Sequence, residues 1–179
     1  MTTSDVDSAA DRSSPDPSAS LLDAPADASR ATVFIVRDGR ESSRKCSLTP
    51  VRGRAGVEFR TWVRERPIDV GTRTLLHPDG PPLSSADRGR PLLLVDCAWR
   101  HLPQVLRDVR GELIPRSIPA GFATAYPRRS RLFADPSSGL ASVEALFVAL
   151  HVLGVPRPDL LEGYRFADAF LERNRERLL

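Results

Sequence analysis

Four consecutive aliphatic residues, Leu92–Val95, run directly into Asp96-Cys97-Ala98-Trp99. An unbroken apolar run of this length predicts a strand buried on both faces, as in a sheet covered by helices. Arg100–Val109 then alternates with helical spacing, and Pro103 is tolerated in the first turn of such a helix. Asp96 and Trp99 are therefore expected at the C-terminal edge of a sheet, where α/β proteins bind ligands. Two readings of the pair stay open: a ligand site, or a surface cap (Asp96) beside a core tryptophan (Trp99).

The same pattern places the other elements. Thr32–Val36 is rich in β-branched residues and predicts a first strand. Val57–Val63 and Thr72–Leu76 predict two more, the latter closed by a rigid loop over His77–Pro82. Leu83–Asp87 reads as a short turn of helix, and Phe122–Tyr126 as a further strand. Ser142–Leu153 is the clearest helix. Ser142 is the expected N-cap, Glu144 lies in the first turn, and Val143, Leu146, Phe147, Leu150 and Leu153 form one apolar stripe. Gly154 is its stop signal. Asp159–Leu179 predicts one or two further helices, with Leu160, Tyr164, Phe166, Phe170, Leu171 and Leu178 as candidate core residues. Strands come first and helices later, which predicts an α/β portion followed by a mostly helical one.

Residues 1–30 break this pattern, being rich in Ser, Asp, Ala and Pro without an aromatic residue. Such a segment buries too little surface to offset its ordering entropy, so a disordered acidic tail is expected there. The tail carries six Asp and two Arg, whereas the rest of the 179-residue chain carries 24 basic and 17 acidic residues, a net +7. Only Lys45 among the bases is a lysine. Guanidinium pairs bidentately with phosphate and stacks on bases. An Arg-rich body therefore permits a nucleic-acid partner, though genomic base composition explains the same bias. Arg128, Arg129 and Arg131 crowd into one loop after Tyr126, which suits phosphate contact or a solvated loop.

Several chemistries are excluded. Two cysteines (Cys46, Cys97) and three histidines (His77, His101, His151) show no Cys-x-x-Cys or His-x-x-x-His spacing, so no metal site is expected. No glycine-rich dinucleotide turn, P-loop or nucleophile elbow occurs. Cys97 adjoins Asp96, but no histidine is assigned near it to make it a nucleophile. Without a signal region or a long apolar run, a cytoplasmic protein with no membrane contact is expected.

Five short motifs, in order, resemble the SPOUT-like small-subunit rRNA aminocarboxypropyltransferases. They are Lys45-Cys46-Ser47; Leu76-His77-Pro78 followed by Leu83-Ser84-Ser85-Ala86-Asp87; Val95-Asp96-Cys97-Ala98-Trp99; Ser142-Val143-Glu144-Ala145; and Phe170-Leu171 with Asn174 and Leu178. The resemblance covers about residues 32–179. It implies a knotted α/β lobe over 31–115 and a mainly helical lobe over 116–179 that completes a pocket for S-adenosylmethionine (SAM). In that pocket Leu76, Pro78 and Trp99 would surround the adenosine, Val95 would offer its backbone to the ribose, and Leu102 would pack on the methionine part. Ile118 and Leu140 would close the pocket, and Ser47 would hold the amino-acid end. The implied activity is transfer of the 3-amino-3-carboxypropyl group to a modified uridine of small-subunit rRNA, in ribosome biogenesis, with Asp96 as the catalytic carboxylate. The implied partner is rRNA or a small-subunit precursor, met by a monomer. The chain departs from the family pattern in Glu41-Ser42-Ser43-Arg44, at Leu48, and across Ala123–Arg129. A SPOUT-type RNA methyltransferase and a non-catalytic ribosome-assembly protein are the alternatives.

Overall fold

The computed structural model describes residues 33–40, 46–127 and 139–179. The acidic tail, Lys45 and the Arg128, Arg129, Arg131 loop lie outside these residues.

Five parallel strands form the main sheet, in the order β2-β1-β5-β4-β7. They are β1 (Val33–Asp38), β2 (Val57–Trp62), β4 (Arg73–Leu76), β5 (Leu92–Asp96) and β7 (Leu113–Arg116). A second, two-stranded parallel pair joins β3 (Ile68–Asp69) to β6 (Val109–Arg110). β5 enters between β1 and β4, with Val33 opposite Leu92 on one side and Thr74 opposite Leu92 on the other. Because every strand runs the same way, Asp38, Leu76, Asp96 and Arg116 end on one edge.

The alternation of β5 explains why its apolar run is unbroken. Leu92 and Leu94 join Val33 and Ile35 in a cluster with Leu146, Leu150 and Phe170. Leu93 points the other way, into a cluster with Phe34, Val36, Leu75 and Val105. Helix α1 (Leu102–Asp108), with Pro103 in its first turn, covers the second face. Helix α2 (Ser142–Val152) covers the first.

α2 differs from the expected one-sided stripe. Leu146, Phe147, Val148, Ala149 and Leu150 are all buried, since α2 lies between the sheet and the C-terminal segment. Phe147 meets Phe170 edge-to-face at 6.0 Å, and α3 (Ala167–Arg173) and α4 (Arg175–Leu178) complete this layer. Each fully buried aliphatic side chain here contributes about 1.5–3 kcal/mol. Gly154 ends the helix with φ +71°, and Val155 N–H donates back to Leu150 O at 2.9 Å.

Three expectations need correction. Phe122–Tyr126 is not a strand: its backbone is satisfied by side chains instead of a sheet neighbour. Asn174 accepts from Ala123 N (2.7 Å) and donates to Ala123 O (2.9 Å), while Glu144 accepts from Ala125 N (3.0 Å). Ala141, not Ser142, is the N-cap of α2, and the Glu144 carboxylate accepts from its N–H at 2.8 Å. Ser142 is thereby freed for another contact. Finally, β7 lies where no strand was expected; its Pro115 is tolerated because β7 sits at the sheet edge.

Candidate functional site

Asp96 closes β5, and three elements converge on its carboxylate. The Ser142 hydroxyl, in the first turn of α2, donates to Oδ1 at 2.9 Å. The Cys46 thiol donates to Oδ2 at 3.5 Å. Arg37 of β1, opposite Asp96 in register, places Nε 3.7 Å from Oδ2. Burial and the neighbouring Asp96 charge push the Cys46 thiol up, so it stays protonated and remains a donor. One residue on, Ser47 Oγ accepts from Val143 N at 3.3 Å. That contact leaves the Ser47 hydroxyl proton available to a further acceptor.

Trp99 opens a short 3-10 turn, Trp99–His101, directly after β5. Its side chain is 44% exposed, which removes the reading of a core tryptophan. Leu76, at the end of β4, is partly buried against the α2-side cluster, as are Ile118 and Leu140. Val95 packs against the opposite cluster, so only its backbone shares the edge with Asp96. Leu102 begins α1, and Pro78 is exposed in the turn that Gly80 closes by donating to His77 O at 3.1 Å. The structure thus brings Ser47, Asp96 and the start of α2 together, and sets Leu76, Ile118 and Leu140 on the same apolar cluster. Trp99 and Leu102 flank them on the β5–α1 connection and belong to neither apolar cluster.

Sequence reading missed five participants. Arg37, Cys46 and Ser142 were not assigned to Asp96, because strand register, loop placement and the true N-cap are tertiary facts. Asp38 and His101 were not linked, yet His101 Nδ1 lies 3.2 Å from Asp38 Oδ2. His101, four residues after Cys97, is therefore committed to β1 and does not serve that thiol. Arg40 also bonds Asp38, and holds its carboxyl below the usual carboxylate range. An acid two residues beyond the predicted first strand was the available signal.

The residue types suit a cationic sulfonium cofactor. An exposed indole favours a cation, partly buried aliphatics give apolar walls, and one hydroxyl with a spare proton can meet a carboxylate. Among the described residues no group of His, Cys, Asp and Glu is arranged to hold a metal ion, and no helix is long and apolar enough to cross a membrane.

No protein-family model matches the chain. Over 102 residues, 54% of its length, it is 36% identical to a 16S rRNA aminocarboxypropyltransferase of Methanopyrus kandleri, and that match spans 57% of the relative, less than two thirds of it. The solved structure of the SAM-dependent rRNA:acp-transferase Tsr3 from Vulcanisaeta distributa superposes with a TM-score of 0.61 at 26% identity, covering 82% of this chain and 79% of that one. In fold and in sequence the chain is similar to SAM-dependent rRNA aminocarboxypropyltransferases.

Proposed function

We propose that this chain belongs to that family and transfers a 3-amino-3-carboxypropyl group from SAM to a modified uridine of small-subunit rRNA, as a step in ribosome biogenesis. The observation that carries the reading is Asp96, held at the C-terminal edge of β5 by Ser142, Cys46 and Arg37, one turn from an exposed Trp99. SAM, when bound, supplies a sulfonium whose attached carbons are open to nucleophilic attack. Trp99, Leu76 and Pro78 would hold its adenosine, with Ile118 and Leu140 closing the wall. Val95 would meet the ribose through its backbone, Leu102 would cover the methyl-bearing side, and Ser47 would donate to the amino-acid carboxylate.

Asp96 would take the proton from N3 of the acceptor uridine. Each of its oxygens accepts one protein hydrogen bond and retains a lone pair for this purpose. Ser142 and Cys46 fix the carboxylate plane, with Arg37 beside Oδ2. The net positive charge outside the first 30 residues supports an rRNA partner, with Arg128, Arg129 and Arg131 as its phosphate contacts. The same proposal includes a SPOUT-like knotted lobe over 31–115, a mainly helical lobe over 116–179, a monomeric state and a cytoplasmic location. The insertion of β5 between β1 and β4 supports the first of these.

Calorimetry tests the pocket. Wild type should bind SAM with a micromolar Kd, about −8 kcal/mol. Trp99→Ala should weaken binding at least about tenfold, ~1.4 kcal/mol. Absence of binding by the wild type would overturn the proposal.

A further inference from the structure

A second buried carboxylate sits beside the proposed site without a part in its chemistry. Asp38, the last residue of β1, is 1% exposed. Its Oδ1 accepts from Arg40 N (3.0 Å) and Nε (2.9 Å). Its Oδ2 accepts from Arg40 Nη2 (2.7 Å) and Nε (3.1 Å) and meets His101 Nδ1 (3.2 Å). With Arg40 holding Asp38 ionised, the carboxylate can only accept, so Nδ1 of His101 carries the proton. Nε2 is then an acceptor, and Arg100 Nε donates to it at 3.2 Å. Both ring nitrogens are used and the imidazole plane is set.

His101 lies in the same 3-10 turn as Trp99, and its N–H donates to Ala98 O at 2.8 Å. Trp99 is 44% exposed and belongs to neither apolar cluster, so its own side chain adds no core packing to the turn. The His101–Asp38 bond does join that turn to β1. The residue before Asp38 is Arg37, which faces Asp96.

We infer that His101 is a positioning residue, whose Nδ1–H anchors the Trp99 turn to Asp38 and sets the indole beside Asp96 for the cofactor. The cofactor half rests on the proposed function; the anchor does not. Loss of the imidazole leaves Asp38 with its four Arg40 bonds, so the fold survives while the turn loosens.

The test uses the full chain labelled with 5-fluorotryptophan, in which Trp62 and Trp99 give separate fluorine resonances, together with SAM calorimetry. Asparagine places its amide nitrogen where Nδ1 lies, whereas glutamine places it near Nε2. His101→Ala and His101→Gln should move the Trp99 resonance towards its solvent-exposed position, leave the Trp62 resonance in place, and weaken SAM binding at least about fivefold. His101→Asn should restore the resonance and hold affinity within about twofold. If the alanine variant fails to fold, the asparagine and glutamine pair decides. An unchanged Trp99 resonance in His101→Gln, or an asparagine variant as disturbed as the glutamine one, overturns the anchor. A changed resonance with unchanged SAM affinity overturns its link to the cofactor. A wild type that binds no SAM overturns the functional reading, and with it that link, while the resonances still decide the anchor.

Discussion

Substitution of Glu144 should be the most damaging polar change in the described part of the chain. Its side chain is fully buried and accepts four hydrogen bonds. Oε1 takes Ala125 N and the Tyr164 hydroxyl, both at 3.0 Å. Oε2 takes the Thr124 hydroxyl at 2.6 Å and Ala141 N at 2.8 Å. Burial, followed by the adjacent Glu144 charge, pushes the Tyr164 phenol far up, so it stays a donor throughout the ordinary pH range. In Glu144→Gln one oxygen becomes an NH2 group. The hydroxyl at that position can turn to accept, but the backbone N–H beside it cannot. One orphaned backbone donor costs about 1–3 kcal/mol, and the remaining bonds lose their charge assistance, about 1 kcal/mol more. The expected loss is about 2–4 kcal/mol. Glu144→Ala, which strands all four donors, should lose about 4 kcal/mol or more. Tyr164→Phe removes a single donor and should lose about 1–2 kcal/mol. Urea denaturation measures this order, and hydrogen exchange at Ala125 reports whether the 123–126 segment detaches. A glutamine variant within about 0.5 kcal/mol of wild type, or one no worse than Tyr164→Phe, would refute the argument.

Two further outcomes follow from the site's surroundings. Asp38, lowered mainly by its hydrogen bond to Arg40, contributes stability that is present above the unfolded carboxylate value of about 3.9 and is lost as pH falls through its lower folded value. Carboxyl NMR titration should therefore place Asp38 below that value in the wild type, and Arg40→Ala should raise it; an unmoved titration in that variant contradicts the assignment. Gly80→Ala would put a Cβ 2.6 Å from Arg116 N and from Pro115 C in β7. Forcing that backbone aside should cost about 1–3 kcal/mol in thermal unfolding, and a variant as stable as wild type would show that the turn is looser than described.

The sheet was legible where burial was symmetric. Leu92–Val95 needed no partner information, since a strand covered on both faces is apolar at every position. The capping turn at Ser84–Asp87 and the stop at Gly154 were legible because local chemistry decides them. Phe122–Tyr126 misled because an extended segment and a strand share a composition. What separates them here is Glu144 and Asn174, which lie 19 and 51 residues from the backbone N–H groups they bond and replace a sheet neighbour. Ser142 misled for a related reason: Glu144 caps Ala141, so the serine one position on turns to Asp96 instead. Asp96 and Trp99 were legible as an edge pair. Arg37, Cys46 and His101 were not, because only strand register and loop placement bring them in.

The central claim concerns which carbon reaches the acceptor, and paired isotopes measure it. SAM labelled in its carboxyl carbon and SAM labelled in its methyl carbon are each incubated with unmodified small-subunit rRNA and either wild type or Asp96→Asn. The wild type should place carboxyl label, and no methyl label, in the RNA. Asp96→Asn should abolish transfer while SAM affinity stays within a few fold, because a proton acceptor is lost and the pocket wall is kept. Methyl label alone in the RNA would contradict the account and establish a methyltransferase, and no label from either SAM despite cofactor binding would leave a binding protein in its place.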